Sequence, residues 1–481
     1  MEGTKLNGES LSDDPKDFDD ILVLIGEFGT FQRLIYTLVA LACMLHSVIY
    51  VAVVFIEETP GHRCKIPGLL NDTNNVSIPN ETGVATQQCT FIQNVSHQGD
   101  YSQDKTEPEP CTEWVLDTST VTYSYPVQFG LICTDSLKLT QSHIMLIAGS
   151  IVGAPVFGSI SDSLGRRFSL LLSLSLSSVL GLAWALTPSY LWGIIIRFVY
   201  GLTSATINSV GTTAGLEIVG PEKRMVAGTG LAYVYAAGGV VVTGMAYFLR
   251  DWRHLQITIS ALLFLLAFTL FWCLPESPRW LLTKGRKKIA EKILRRTARI
   301  NGTEFPEGLV EKVEIKKPPS TSARALWIVI DMAYYGIFLH AGNMSGNLYL
   351  NVLFYSLVEF PACALCFTID KFGRKRPYVM CVVIGGLSCL STLLVQYYAS
   401  DELESTKYTK IALSVVGKLG VSAAYCILYI WSIEIFPTVI RNFCLGVGAV
   451  FAGVGSILSP IIVRDLKVES IGKDTLPLVI F

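Results

Sequence analysis

Apolar residues in this chain gather into eleven long runs instead of alternating with polar ones. The runs cover residues 31–56, 143–161, 168–186, 191–210, 225–249, 255–274, 325–339, 348–369, 378–397, 411–433 and 443–462. Most reach the roughly 20 residues that a helix needs to cross ~30 Å of hydrocarbon. A bilayer core offers no water to backbone N–H and C=O groups, so each run is expected to be a helix. Composition agrees: 51% of the 481 residues are hydrophobic and 16% are charged, where a soluble domain carries about 25% charged. The net charge of −1 provides no attraction for a polyanion, and no nucleic-acid partner is expected.

Lysine and arginine orient the spans. Arg166 and Arg167 follow the second run, Lys223 and Arg224 the fourth, and Lys371, Arg374, Lys375 and Arg376 the eighth. The segment after the sixth, 284–324, holds twelve Lys/Arg against five Glu. All these exits fall on one side, which is expected to be the cytoplasm. Residues 1–20 are polar and acid-rich, without the apolar core of a signal peptide, so the amino terminus is expected on that side too. Loop 57–140 is then extracellular. It carries sequons at Asn71, Asn75, Asn80 and Asn94 and the cysteines Cys64, Cys89, Cys111 and Cys133. Outside the cell these imply glycans and two disulfides, with three possible connectivities. The sequon at Asn301 is on the cytoplasmic side and is expected to stay bare.

The chain contains a diverged repeat. Gly158-Ser-Ile-Ser-Asp162-Ser-Leu-Gly165-Arg166-Arg167 after the second run returns 208 residues later as Cys366-Phe-Thr-Ile-Asp370-Lys-Phe-Gly373-Arg374-Lys375 after the eighth. Glu217-Ile-Val-Gly-Pro-Glu-Lys-Arg224 and Glu434-Ile-Phe-Pro-Thr-Val-Ile-Arg441 form a second pair, offset by 217. Two homologous halves joined by a charged linker are the layout of the major facilitator fold, with substrate bound between the halves near the midplane. The expected domains are a cytoplasmic terminus (1–30), an N-terminal helical half (31–274), a linker (275–324) and a C-terminal half (325–481). A carboxylate at a helix end with arginines a turn away can bridge to a neighbouring helix while the mouth is shut. Gating is therefore expected of Asp162, Arg166, Arg167, Glu217, Arg224, Asp370, Arg374, Lys375, Glu434 and Arg441. The plainer reading is that these cations only mark topology. No metal spacing, nucleophile elbow or phosphate loop occurs, so neither catalysis nor a cofactor is expected.

Ionisable groups inside spans are functional candidates, because burying them is costly. Four stand out: Arg197, Asp331, Glu359 and Lys418. Glu359 is nearly central in its run, and its alternative role is a structural pair with Lys418. Arg197 sits in an R-x-x-x-G pattern resembling one of the major facilitator superfamily, which implies a structural or conformational role over a substrate-binding one.

Seven motifs carry a resemblance. They are Phe28-Gly-Thr-Phe-Gln32, Glu217-Ile-Val-Gly220, Arg250-Asp-Trp-Arg-His-Leu-Gln256, Pro275-Glu-Ser-Pro-Arg-Trp-Leu-Leu282, Ser345-Gly-Asn-Leu-Tyr-Leu350, Val358-Glu-Phe-Pro-Ala362 and Glu434-Ile-Phe-Pro-Thr438. In that order the chain resembles the organic cation, anion and carnitine transporter family of the major facilitator superfamily, most closely its organic cation transporters. The resemblance implies a plasma-membrane carrier in which Glu359 faces the substrate. It also implies that Trp327, Tyr334 and Tyr235 supply aromatic faces, with Asp331 ranked below Glu359. A carboxylate with aromatic rings suits a bulky organic cation. Gly453 stands where relatives carry the Asp or Arg that separates cation from anion and carnitine transporters. The expectation is potential-driven uptake of organic cations, with a carnitine-like zwitterion as the alternative substrate. The seventh run spans only about 22 Å at 1.5 Å per residue, and 475–481 read as the first turns of a twelfth span. A non-transporting, truncated paralogue with a binding or regulatory role is the reading from a different class. Surface trafficking and concentrative uptake of a fluorescent cation separate the two.

Overall fold

The computed structural model describes residues 18–65, 84–86, 89–93, 109–111, 113–119, 121–306, 309–311, 348–365, 373, 375–398, 404–435 and five positions between 450 and 457. Among these, seven helices are long and apolar enough to cross a membrane. The first six runs become α2 (Thr30–Ile56), α4 (Ser136–Leu164), α5 (Arg166–Ala185), α6 (Tyr190–Glu217), α7 (Pro221–Phe248) and α8 (Trp252–Cys273). Short helices accompany them: α1 (Phe18–Leu24) before the first span, α3 (Tyr125–Phe129) at the end of the long loop, and α9 (Pro278–Thr283) and α10 (Lys287–Asn301) in the linker. The second half contributes α11 (Leu348–Leu357), α12 (Glu359–Ala364), α13 (Lys375–Tyr398) and α14 (Glu404–Ile435).

The described part of the run 348–369 stays helical through Val358 (φ −66°, ψ −22°), but one helical hydrogen bond is missing there. Pro361 has no N–H to give and its ring crowds the carbonyl four residues back, which is that of Leu357, where α11 stops. The seventh run, 325–339, lies outside the described residues, and the eleventh is represented only by isolated positions.

Small residues set the distances between spans. A Cβ on Gly149 or Gly153 of α4 would overlap the carbonyls of Phe198 or Leu202 on α6, and one on Gly201 would overlap that of Leu146. In α7, Gly238 faces Met44 and Ser47 of α2 while its neighbour Gly239 faces Ser356 of α11. That span therefore packs against both halves at one level. The rings of Tyr233 and Phe360, with centroids 5.9 Å apart, and of Tyr247 and Tyr349, 5.6 Å apart, extend the same contact along its length.

The long loop folds into two small antiparallel sheets. β1 (His62–Cys64) pairs with β5 (Trp114–Leu116), and β2 (Val84–Thr86), β3 (Thr90–Gln93) and β4 (Glu109–Pro110) form the second. Of the three connectivities, Cys64–Cys111 and Cys89–Cys133 are the ones formed. The second ties the loop to the turn that opens α4. The four sequons Asn71, Asn75, Asn80 and Asn94 lie outside the described residues. The disulfides close segments of 47 and 44 residues, so losing one is expected to cost about 4 kcal/mol by chain entropy. Cys64→Ser with Cys111→Ser should lower the unfolding temperature and admit protease within 57–140, helicity being kept. Non-reducing peptide mapping that found another pairing would contradict this arrangement.

Candidate functional site

The ends of the spans on the side of the linker are joined by a buried polar network. Arg166 opens α5 and reaches Asp162 of α4 at 3.1 Å and Glu217, the last residue of α6, at 3.3 Å. It also donates to the carbonyl of Ser161. The motif that follows α8 completes the network. Ser277 Oγ donates to Glu217 Oε2 at 2.6 Å, and Trp280 Nε1 donates to the carbonyl of Asp162. Glu276 Oε1 accepts from the backbone N–H groups of Arg166, Arg167 and Ser277 at 2.8, 3.2 and 3.0 Å. Gly165, at φ +113°, makes room for that carboxylate, with which a Cβ would collide. Burial holds the Glu276 carboxyl above its ordinary range, against the pull of the three N–H groups and Arg166. Glu276→Ala removes the cap of α5 and is expected to cost ~1–2 kcal/mol, read as a lower melting temperature in detergent.

Arg167 donates to the carbonyl of Phe271 and lies over its ring. Arg224 turns away from the network: it binds Asp19 of α1 at 2.9 Å, as does Arg279 at 3.2 Å. The short N-terminal helix is thereby pinned to the start of α7 and to the linker. In the second half, Lys375 is exposed at the start of α13, and the side chain of Glu434, within α14, is not described. Asp370, Arg374 and Arg441 lie outside the described residues.

At mid-chain depth of the second half, Glu359 and Lys418 meet. Glu359 Oε1 lies 3.3 Å from Lys418 Nζ, with side-chain exposures of 13% and 0%. Glu359 follows Val358, where one helical hydrogen bond is missing, and lies beside the contact with α7. Tyr235 stands against His46, with ring centroids 5.9 Å apart, and His46 against Tyr50 at 4.7 Å. Tyr50 in turn shares a hydrogen bond with Ser150. Trp327, Asp331 and Tyr334 lie outside the described residues. Gly453 packs on Ile151 of α4, where a Cβ would collide. Gly453 thus sits at a close contact with the first half.

A second buried ionic group lies at the opposite, loop-side ends of the spans. Arg197 of α6 is 2.6 Å from Glu57, which caps α2, and Glu57 is 3.5 Å from His143 of α4. Arg197 also donates to Ser142 and lies 4.6 Å above the Trp184 ring. The structural reading of Arg197 thereby acquires its partner. Glu57 was visible in the sequence only as the first of two acids that end the first run.

Residues 133–460 match the Major Facilitator Superfamily domain. An organic cation transporter protein of Drosophila melanogaster is 31% identical over 92% of this chain and 86% of its own length. Solute carrier family 22 member 2 of Mus musculus is 30% identical over 93% and 88%. Organic cation/carnitine transporter 2 of Mus musculus is 29% identical over 92% and 86%. Among solved structures, the partially occluded inward-open xylose transporter XylE of E. coli aligns at TM-score 0.58 and 16% identity over 72% of this chain and 84% of that one, a likeness of fold. With a domain match over more than half its length and relatives of about 30% identity along nearly all of it, the chain belongs to the major facilitator superfamily and, within it, to solute carrier family 22.

Proposed function

We propose that this transporter takes up small organic cations across the plasma membrane by alternating access, with the amino terminus and linker in the cytoplasm. The observation that carries the reading is Glu359, a mostly buried carboxylate paired with Lys418 beside the contact between halves. Its partner Lys418 is wholly buried, whereas Glu359 keeps some exposure. An arriving cation can share the carboxylate, and aromatic faces such as those of Tyr233 and Phe360 on the same contact can offset its desolvation. The names of the relatives support the substrate class. The disulfides of the loop support an oxidising exterior. Asp162, Arg166 and Glu217 would lock the ends of three spans into one piece that moves as a unit, with Asp370, Arg374, Glu434 and Arg441 as counterparts by the repeat.

The ion pair itself favours a second substrate class. A zwitterion can exchange partners with both members at once, giving its cation to Glu359 and its carboxylate to Lys418. Uptake of tetraethylammonium and of a betaine, each with sodium replaced and with the potential clamped, separates the readings. Cation uptake should track the potential, at ~2.3 kcal/mol per 100 mV, and ignore sodium. Strict sodium dependence would overturn potential-driven uniport, and transport of the betaine alone would select the zwitterion.

A further inference from the structure

The helix α10 carries charge that its packing does not use. Ala290, Leu294, Thr297 and Ala298 are buried. Leu294 and Ala298 pack on Phe18, Ile21, Leu22 and Ile25, and Ala290 on Trp280 and Leu281. At 3.6 residues per turn, Lys288, Lys292, Arg295, Arg296 and Arg299 lie on the opposite face, all exposed. One acid, Glu291, accompanies them, bridged to Arg295. Ile289 and Ile300 stand three turns apart along one edge of this cationic stripe, 50% and 46% exposed.

The C-terminal end of the helix is tied to the first turn of α2, and its N-terminal end packs on α9. At its C-terminus, Asn301 donates to the carbonyl of Ile25 and to Gln32, and accepts from the N–H of Phe31 in the first turn of α2. At its N-terminus, Arg286 N–H donates to the carbonyl of Leu281 in α9, which itself begins five residues after α8 ends. A 15-residue helix about 22 Å long, held in this way, lies beside the linker-side ends of α2 and α8.

We infer that the stripe Lys288, Lys292, Arg295, Arg296 and Arg299 is a docking surface for anionic phospholipid headgroups, with Ile289 and Ile300 seated at the headgroup boundary. The lipid is phosphatidylserine of the surrounding leaflet, whose negative charge complements the stripe. The exposed isoleucines fit a membrane surface, which buries apolar edges beside a basic face. This rests on the proposed orientation, in which the linker faces the cytoplasmic leaflet.

The test uses the full chain in nanodiscs of phosphatidylcholine with a minority of phosphatidylserine, with retained lipids counted by native mass spectrometry. Wild type should hold phosphatidylserine above its share of the mixture, less so as salt rises. The quadruple change Lys288→Gln, Lys292→Gln, Arg296→Gln and Arg299→Gln should cut that preference at least tenfold, equivalent to ~1.4 kcal/mol. Phosphatidylcholine retention and the melting temperature should not move. Lys65→Gln with Lys138→Gln, on the loop side, should leave the preference intact. If the quadruple variant misfolds, Arg296→Gln with Arg299→Gln should still show a partial loss. Equal phosphatidylserine retention in variant and wild type would overturn the inference, as would parallel loss of both lipids. So would cross-links placing the acid-rich residues 1–17 on the stripe, with more phosphatidylserine bound once they are deleted. Both leaflets of the disc contain the lipid and no transport is measured, so failure here leaves the proposed orientation and substrate untouched.

Discussion

Arg197→Met is expected to leave little folded protein, because it takes from Glu57 the guanidinium that makes its burial tolerable. The two groups are 2.6 Å apart with side-chain exposures of 1% and 0%. Arg197 is also held by Ser142 and by the ring of Trp184, and the carboxylate has His143 at 3.5 Å. Removing one member of such a pair costs about 3–5 kcal/mol, set against a total stability of about 5–15 kcal/mol. Fluorescence-detected size exclusion should show the monodisperse peak largely lost. Glu57→Gln combined with Arg197→Met removes both charges and should restore most of that peak, though not the contact with Trp184. A normal peak for Arg197→Met alone would mean that water reaches the cluster, and the ionic account of it would fail.

What the sequence could show followed from periodicity and local chemistry. Long apolar runs have one viable conformation in hydrocarbon, which is why α2 and α4 to α8 were legible. Even so, α4 starts seven residues before its run (143–161) and α6 ends seven residues after its run (191–210), where the chain turns polar. Arg166, Asp162 and Glu217 were legible because a helix end with opposite charges a few residues apart must find partners nearby. Arg224 shows the limit of that logic. Its nearest acid along the chain, Glu222, is not its partner, and it binds Asp19 from a segment two hundred residues away.

The linker motif was read only as a mark of kinship, although it held a structural signal. Ser277 followed by Pro278 is an N-cap before a first-turn proline, and it does accept from Trp280 N–H. That Glu276 would cap α5 instead could not be read, since the cap spans 110 residues of chain. Glu57, His143 and Arg197 raise the same difficulty. Each is visible singly, but which spans bring them together is a property of packing. The contact of Gly453 with Ile151 supplies a steric reason for small size at that position.

Glu359→Gln is expected to act on folding before it acts on transport. Lys418 is fully buried and 3.3 Å from the carboxylate, so the amide leaves an ammonium in hydrocarbon without its counter-charge, again at about 3–5 kcal/mol. Surface expression should therefore fall in the single variant. Glu359→Gln with Lys418→Met should restore expression, and only then can the site be weighed. In that double variant the affinity for an organic cation should remain at least tenfold below wild type, equivalent to ~1.4 kcal/mol, because the attraction that offset substrate desolvation is gone. A zwitterion that used both members of the pair should lose more than a cation does. Restored expression together with wild-type cation affinity would make the pair purely structural and move the substrate's counter-charge elsewhere. Normal expression and unchanged uptake in Glu359→Gln alone would remove Glu359 from both roles.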